Sequence, residues 1–418
     1  MKIIVTSIGT RGDMEPLLAV GEILREKGHQ VFCLFPEQFR GLAEDSGFEF
    51  GSLGSRFIEM LESEVGRTAM GSGGSILKKL VAFVKLALQQ KDINREMVRK
   101  QYEYVEQVVP DYIVHNGKVI YPVIWSLKHP GKTTLISPVP YLHYVKNHAH
   151  VAFNKDFGPF FNKLTYRLAN YGLVKTIMNS LQWLDSTKRI SQKQIQHSLF
   201  TNNAIYTISP TLFERPDYWP SNIKVLGYHE RDKTVNWQPD EALNDFLAKH
   251  PKTLLVTFGS MLNPAPAEKT QLILEILERN GIPAIINTAA GGLVKPDNYS
   301  CEHIHFVSGI PYDWVLPKIY GVVHHGGSGT THMALKYGCA SLIIPHIIDQ
   351  FVWNKIIAQK GAGPEGIAIG AITVKKLEPK ILELVNIQAF KNKAEEIGAE
   401  MCQEDFREEV CQAIVQAE

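Results

Sequence analysis

The sequence predicts an α/β protein of two doubly wound, Rossmann-like domains facing a central cleft. Three observations carry that prediction. At 418 residues the chain is too long for one ordinary core, so two domains are expected. It opens strand, glycine loop, helix, strand. After a polar, proline-rich stretch, the same α/β rhythm begins again near residue 251, as a second doubly wound sheet would require.

The elements follow in order. "KIIVTSIG" is a strand, "TRGDMEP" a glycine loop, "LLAVGEILREKG" a helix with Pro16 in its first turn and Gly28 past its end, and "QVFCLF" the next strand. "SILKKLVAFVKLALQQ" is apolar at helical spacing, with Lys78, Lys79 and Lys85 among the apolar residues. "DYIVHNG" and "KTTLISP" are short apolar runs ending in turn residues, as parallel strands do. The stretch from Arg215 to Glu241 is proline-rich and polar. Domains are therefore expected over residues 1–215 and 251–395, with a linker over 216–250 and a C-terminal helical segment over 396–418. In the second half "KTLLVTFGS", "PAIINTA", "HIHFVSG", "YGVVHHGG" and "ASLIIP" are strands, and "PAEKTQLILEILERNG" is a helix.

Composition narrows the class. With 44% hydrophobic and 21% charged residues the chain has the balance of a soluble globular protein. A formal net charge of +1 gives no field that would attract nucleic acid. Five cysteines without a C-x-x-C pair suit a reducing compartment better than a disulfide framework. "MKIIVTSIG" meets glycine long before a span of about 20 apolar residues could form. A cytoplasmic protein is the expectation.

The chemistry concentrates in "VVHHGGSGTTHMALKYG". A glycine turn between strand and helix lets backbone N–H groups approach an anion, and the helix start adds a favourable dipole. Here "GGSGTT" is that turn, with Thr330 and Thr331 expected to cap the helix and Gly338 to end it. His325 before it can hydrogen-bond a phosphate, or charge-pair with one if protonated. Alternation along the strand points His324 to the opposite face, as the structural member of the pair. The predicted ligand is a diphosphate. The chain contains no G-x-x-x-x-G-K-[ST], and His332 stands where the third glycine of a dinucleotide fingerprint belongs. A tight turn around a satisfied core histidine would look the same locally.

Several motifs together resemble one family. "PYDWVLP", "HHGGSGTT" and "IIDQF", preceded by "GTRGDMEP" and "LLVTFGSM", are similar in kind and order to the signatures of family 1 nucleotide-sugar glycosyltransferases of GT-B fold. The likeness is to the branch of sterol glucosyltransferases and bacterial natural-product glycosyltransferases. The resemblance makes residues 1–215 an acceptor domain and 251–395 a donor domain, with the last helix returning to the first domain. It implies that His325 contacts the donor diphosphate, within a turn of Gly327, Ser328, Gly329, Thr330 and Thr331. Gly259 and Ser260 would meet the same phosphates, and Arg11 and Gly12 would approach them from the first domain's glycine loop. Trp314 and Val315 would hold the nucleobase, and Asp349 and Gln350 the sugar hydroxyls. Two departures stand out: Met333 occupies the place of the ribose-binding glutamate of plant members, and Tyr312 that of a usual histidine.

Asp13 aligns with the family's catalytic base, and a positioned base supplies about 10²–10⁴-fold. On residues alone Asp13 equally suits a helix cap, Asp349 an N-cap, Trp314 core packing and Arg11 a surface ion pair. No Asp-x-Asp occurs and the histidines form no convincing ligand cluster, so no metal is expected.

The resemblance implies an inverting, metal-independent hexosyl transfer, with glucose the expected sugar, from a UDP- or dTDP-sugar, with no separate cofactor. Residues 55–200 carry the variable acceptor region. Tyr141, His143 and Phe153 lie in its aromatic stretch, which suits a sterol, polyketide, carotenoid or phenolic. The same aromatics suit an ordinary core. Lys78, Lys79, Lys85 and Lys91 around "LVAFV" would suit peripheral membrane contact or a solvated helix face. Two other functions compete: a nucleotide-sugar binder without turnover, and a dinucleotide-dependent oxidoreductase using Glu37.

Overall fold

A computed structural model describes all but residues 64–75, 154–155, 185–189, 232–236, 260, 262, 264 and 416–418, with no side chains described at 62, 76–89 and 290. The chain forms two compact units. One takes the chain up to about residue 232 and again from Asp405 onward, and the other takes the stretch between.

The first unit runs β1 (Lys2–Thr6), α1 (Arg11–Glu26), β2 (Gln30–Phe35), α2 (Arg40–Glu44), β3 (Glu49–Ser52), α3 (Arg56–Glu62), α4 (Ile76–Val108), β4 (Tyr112–Asn116), α5 (Tyr121–Ser126), β5 (Thr133–Ser137), α6 (Pro159–Leu181), α7 (Gln192–Thr201), β6 (Asn203–Tyr206) and β7 (Ile223–Val225). The second runs α8 (Glu241–Lys249), β8 (Leu254–Thr257), α9 (Pro266–Arg279), β9 (Ala284–Asn287), β10 (Ile304–Val307), α10 (Tyr312–Val315), β11 (Gly321–His324), α11 (Ser328–Lys336), β12 (Ala340–Ile343), α12 (Ile348–Lys360), α13 (Val374–Asn386) and α14 (Gln388–Met401). The last helix, α15 (Arg407–Val415), belongs to the first unit.

Both sheets are wholly parallel. The first has the order β3-β2-β1-β4-β5-β6-β7 and the second β10-β9-β8-β11-β12. Strand order therefore reverses between β1 and β4, and again between β8 and β11. In such sheets ligands meet the carboxyl ends of the strands at that reversal. Pairing of Thr6 with His115 brings the turn after β1 beside the turn after β4. Pairing of Thr257 with His324 does the same for β8 and β11.

Helices on both faces require strands apolar on both sides, and "IIV" of β1 and "LLV" of β8 are completely buried. Against the first sheet lie Leu17, Leu18 and Leu24 of α1, joined there by Val410, Ala413 and Ile414 of α15. Each such side chain removed from water contributes roughly 1.5–3 kcal/mol.

Three local expectations change. Pro16 lies inside α1 instead of in its first turn, because the helix begins at Arg11, where the Thr10–Asp13 capping box starts it. The stretch 216–250 is not one linker: Ile223–Val225 pairs with β6 as the seventh strand, and Glu241–Lys249 is helical. Three residues between prolines and glycine are too short to show a period. Residues 396–418 are not one segment either, since α14 ends at Met401 and α15 begins at Arg407 in the other unit.

Candidate functional site

At the reversal point of the second sheet, His325 follows β11 directly. Its ring is held between two backbones: a Cβ on Gly259 would stand 2.8 Å from its Cε1, and one on Gly327 would stand 2.4 Å from its Nε2. No side chain other than hydrogen fits at either place. His325 is only 7% exposed, and its Nδ1 has no hydrogen-bond partner. Burial, with the nearby His324 and His346, holds its pKa well below the ordinary histidine value, so the ring is neutral. Of the two modes expected from sequence, a neutral ring supports the hydrogen bond and not the charge pair. His324 is completely enclosed, accepts from the Gly326 amide at 3.2 Å, and is pushed down to about 3 by burial.

The helix after this turn starts at Ser328, three residues earlier than the capping threonines imply. Thr331 lies inside α11, donating its hydroxyl back to the Gly327 carbonyl at 2.9 Å, and Thr330 shares its first turn. No side chain caps the start. The opening amides of a helix have no partner within it, so Ser328, Gly329 and Thr330 present N–H groups where an anion is favoured. Gly338, left-handed at φ +67, ends the helix as its sequence position suggests. His332, in the third-glycine position, is buried against Trp353 with its Nδ1 2.7 Å from the Ser328 carbonyl oxygen.

Other predicted contacts are less uniform. Ser260 lies outside the described residues. Trp314 is half-buried, edge-on to Trp237 at 4.9 Å between centroids, with the Lys318 ammonium 4.3 Å from its ring. Val315 is different: its side chain is completely buried in the core and its amide bonds Pro311, so its side chain is no ligand contact. Tyr312 bonds the Thr257 hydroxyl at 2.9 Å, tying α10 to the end of β8. Asp349 is the second residue of α12, not its N-cap, which is Ile347. Gln350 is buried, and its carboxamide oxygen accepts from the His346 and Ile347 amides at 2.7 and 3.1 Å. That oxygen is spent on the turn.

The first sheet's reversal point holds Asp13. Its carboxylate accepts from the Thr10 amide at 2.8 Å and from the Lys118 ammonium at 2.7 and 2.8 Å. It lies against Gly9, whose φ is +138 and where a Cβ would stand 2.0 Å from Oδ2. The Asn116 carboxamide joins the two turns, donating to the Ser7 hydroxyl at 2.8 Å and the Ile8 carbonyl at 2.9 Å. Arg11 is on the surface, paired with Glu15 at 2.8 Å, and Gly12 lies in the first turn of α1.

The three acceptor candidates are not one pocket. Tyr141 stacks on His148 at 4.0 Å, and Phe153 is exposed on a 3₁₀ turn. His143 bonds the Tyr206 hydroxyl at 2.8 Å and lines a cavity of about 60 Å³ with His115, Val119, Leu173 and Ile177. That is room for a few waters, not a sterol. Among the described residues no group of three or more His, Cys, Asp or Glu could hold a metal.

Sequence reasoning missed Lys118, Asn116 and Trp237. The first two lie in "HNGK", a glycine turn after a strand, the same kind of signal that located Asp13. Only the strand order shows that the two turns are neighbours.

Two parallel Rossmann-like sheets with glycine turns at their reversal points define the GT-B class of glycosyltransferases. Comparison with known proteins agrees. Residues 3–113 match the glycosyltransferase family 28 N-terminal domain, and residues 295–417 match the C-terminal domain of erythromycin biosynthesis protein CIII-like proteins. The chain is similar to nucleotide-sugar glycosyltransferases of this fold, with sterol glucosyltransferases among its sequence relatives and bacterial natural-product glycosyltransferases among its structural neighbours.

A sterol 3-beta-glucosyltransferase of Arabidopsis thaliana is 26% identical over 97% of this chain, and one of Yarrowia lipolytica 24% identical over 98%. The chain spans 64% and 28% of their lengths respectively. The kitacinnamycin glycosyltransferase structure superposes with a TM-score of 0.70 at 15% identity, covering 100% of this chain and 98% of that one. SnogD from Streptomyces nogalater gives 0.64 at 16%, covering 100% of both. SsfS6 of Streptomyces sp. SF2575, solved with thymidine diphosphate, gives 0.62 at 16%, covering 100% of this chain and 99% of that one.

Proposed function

We infer that the chain transfers a hexose, with glucose as the expected sugar, from a UDP- or dTDP-sugar to a hydroxyl of a hydrophobic acceptor, with inversion at the anomeric carbon. The observation that carries this reading is the turn after β11: an uncapped helix start beside a buried neutral imidazole wedged between two glycines. The amides of Ser328, Gly329 and Thr330 and the ring of His325 are donors for a diphosphate. In the proposed step the acceptor oxygen bonds the anomeric carbon as the bond to the diphosphate oxygen breaks. The acceptor proton goes to Asp13, and the diphosphate leaves with its charge met by α11. A helix terminus contributes up to about 2 kcal/mol in partly buried geometry, and preorganised hydrogen bonds to the developing charge supply more.

Support for a hydrophobic acceptor comes from the sterol glucosyltransferase relatives. Trp314 and Trp237 form the aromatic wall proposed for the base, and the Gln350 carboxamide nitrogen and Asp349 are proposed for the sugar. A second reading has one observation in its favour. Both oxygens of Asp13 are already engaged by Thr10 and Lys118, which suits a nucleotide-sugar binder without turnover.

Mass-spectrometric screening of UDP- and dTDP-sugars against a mixed library of sterols, polyketides and phenols tests transfer directly, with thermal shift by UDP, dTDP and NAD alongside. Stabilisation by UDP or dTDP with a glycosylated product is expected. Stabilisation without product selects the binder. Stabilisation by NAD alone overturns both.

A further inference from the structure

Helix α6 carries large apolar side chains on its outer side. The residues it turns inward are Asn162, Thr165 and Ser180 together with Tyr166, Val174 and Ile177. Those it turns outward include Phe160 at 77% exposure, Phe161 at 58% and Tyr171 at 59%. Hydrogen bonds anchor that orientation. Asn162 donates to the Lys146 carbonyl at 3.0 Å and accepts from the Phe157 amide at 2.9 Å. Thr165 accepts from the His150 amide at 2.9 Å. These bonds, with Tyr166, Val174 and Ile177 buried on the same helix, hold that face inward and leave the aromatics outside.

Phe157, Phe160, Phe161, Leu164, Leu168 and Tyr171 are all exposed. At 100° per residue the five from Phe160 to Tyr171 fall within one face and follow one another for about 16 Å along the helix, and Phe157 lies just before its start. Together they present on the order of 600 Å² of apolar surface, the upper end of what a monomer carries as its largest patch. Across its 23 residues α6 has no acidic side chain. Its charges are Lys163, Arg167 and Lys175, all exposed, and Arg167 and Lys175 pair with no carboxylate among the described residues.

We propose that this face docks on an anionic lipid bilayer, with α6 lying in the plane of the interface. A stripe of Phe, Leu and Tyr on a helix whose only charged side chains are cations matches what such a surface offers, apolar depth beneath negative headgroups. A protein interface core would instead be depleted of lysine. No helix among the described residues is long and apolar enough to cross a membrane, so the contact is peripheral. Lys91, whose exposure is described, lies on α4, a different helix. The side chains of Lys78, Lys79 and Lys85 are outside the described residues. The proposal does not depend on the transfer reaction.

The test is co-sedimentation of the full chain with phosphatidylcholine vesicles, with and without about 30% phosphatidylglycerol. Binding to the anionic vesicles, weakened by salt, is expected. Combined F160S, F161S and L168S should lower it by about tenfold or more without changing the melting temperature, since all three side chains are exposed. Combined R167E and K175E should remove the preference for anionic lipid. Absence of wild-type binding, or binding indifferent to both sets of substitutions, overturns the proposal. So does a self-associated chain, seen by light scattering, that F160S and F161S dissociate in the absence of any vesicle binding; that result would make the face an interface between copies.

Discussion

The turns after β1 and β11 each lie at the reversal point of their own sheet, on opposite sides of it, and end in opposite states. Each follows a central parallel strand, each presses a side chain against glycine backbone, and each opens a helix. After β1, the helix start is closed by its own carboxylate: Asp13 takes the Thr10 amide and, from the neighbouring strand's turn, the Lys118 ammonium. After β11 no side chain among the described residues caps it. The opening amides of α11 have no side-chain cap, and His325 keeps a buried nitrogen without a partner. Buried polar atoms are rarely left so. The proposed roles rest on this difference: the first turn is internally satisfied around a held carboxylate, whereas the second leaves a buried His325 nitrogen without a partner.

The largest expected effect that sharpens this contrast is on stability against pH. Burial holds the second unit's His332 and His346 at about 4, with His324 and His325 also depressed, and it holds the first unit's His115, His143 and His150 at about 4 as well. Below the unfolded value near 6.5 the unfolded chain binds protons that the folded chain refuses. Their stabilisation is complete above pH 6.5 and lost as pH falls toward 4, by about tenfold in the unfolding constant per histidine per pH unit. Calorimetric melts across that window should show Tm falling steeply. A flat profile would mean these rings are solvated.

Next in size is Asp13→Asn. Asparagine can still accept from Thr10, so the helix cap and nucleotide binding should survive while sugar transfer falls by roughly 10²–10⁴. Near-normal turnover would reduce Asp13 to a cap and make the first turn purely structural. His325→Ala should weaken UDP or dTDP binding by about ten- to a hundredfold, the range for a hydrogen bond to a charged group. Gly327→Ala should do much the same, by displacing the ring without deleting it. Titration calorimetry decides this, and unchanged affinity in both variants would remove the second turn from the site. The smallest effect is expected from Lys118→Met. Its ammonium is 56% exposed, so stability should hardly move, but a loosened carboxylate should slow turnover by about tenfold with nucleotide affinity unchanged. Loss of nucleotide affinity instead would place Lys118 on the donor.

What could be read from sequence was local. Continuous apolar runs such as "LLVTFG" and "YGVVHHGG" announce buried parallel strands, and their glycines announce turns where backbone must come close to something. His325, Gly327 and Asp13 were accessible that way. The N-terminus of α11 was not, because two adjacent threonines imitate a cap that the helix passes over. Asp349 likewise imitates an N-cap that Ile347 provides.

The sequence by itself determined the element types, the two-sheet class and the chemistry at each turn, because strand burial, helix period and glycine conformation depend on residues near one another in the chain. Tertiary structure decided the rest. It set Lys118 on Asp13 across 105 residues, since only the strand order makes β1 and β4 neighbours. It drew Ile223–Val225 into the first sheet, where an existing strand edge supplies the pairing that three residues cannot specify. It also turned the aromatics of α6 outward, because the inward places were already fixed by hydrogen bonds to Asn162 and Thr165 that no periodicity reveals.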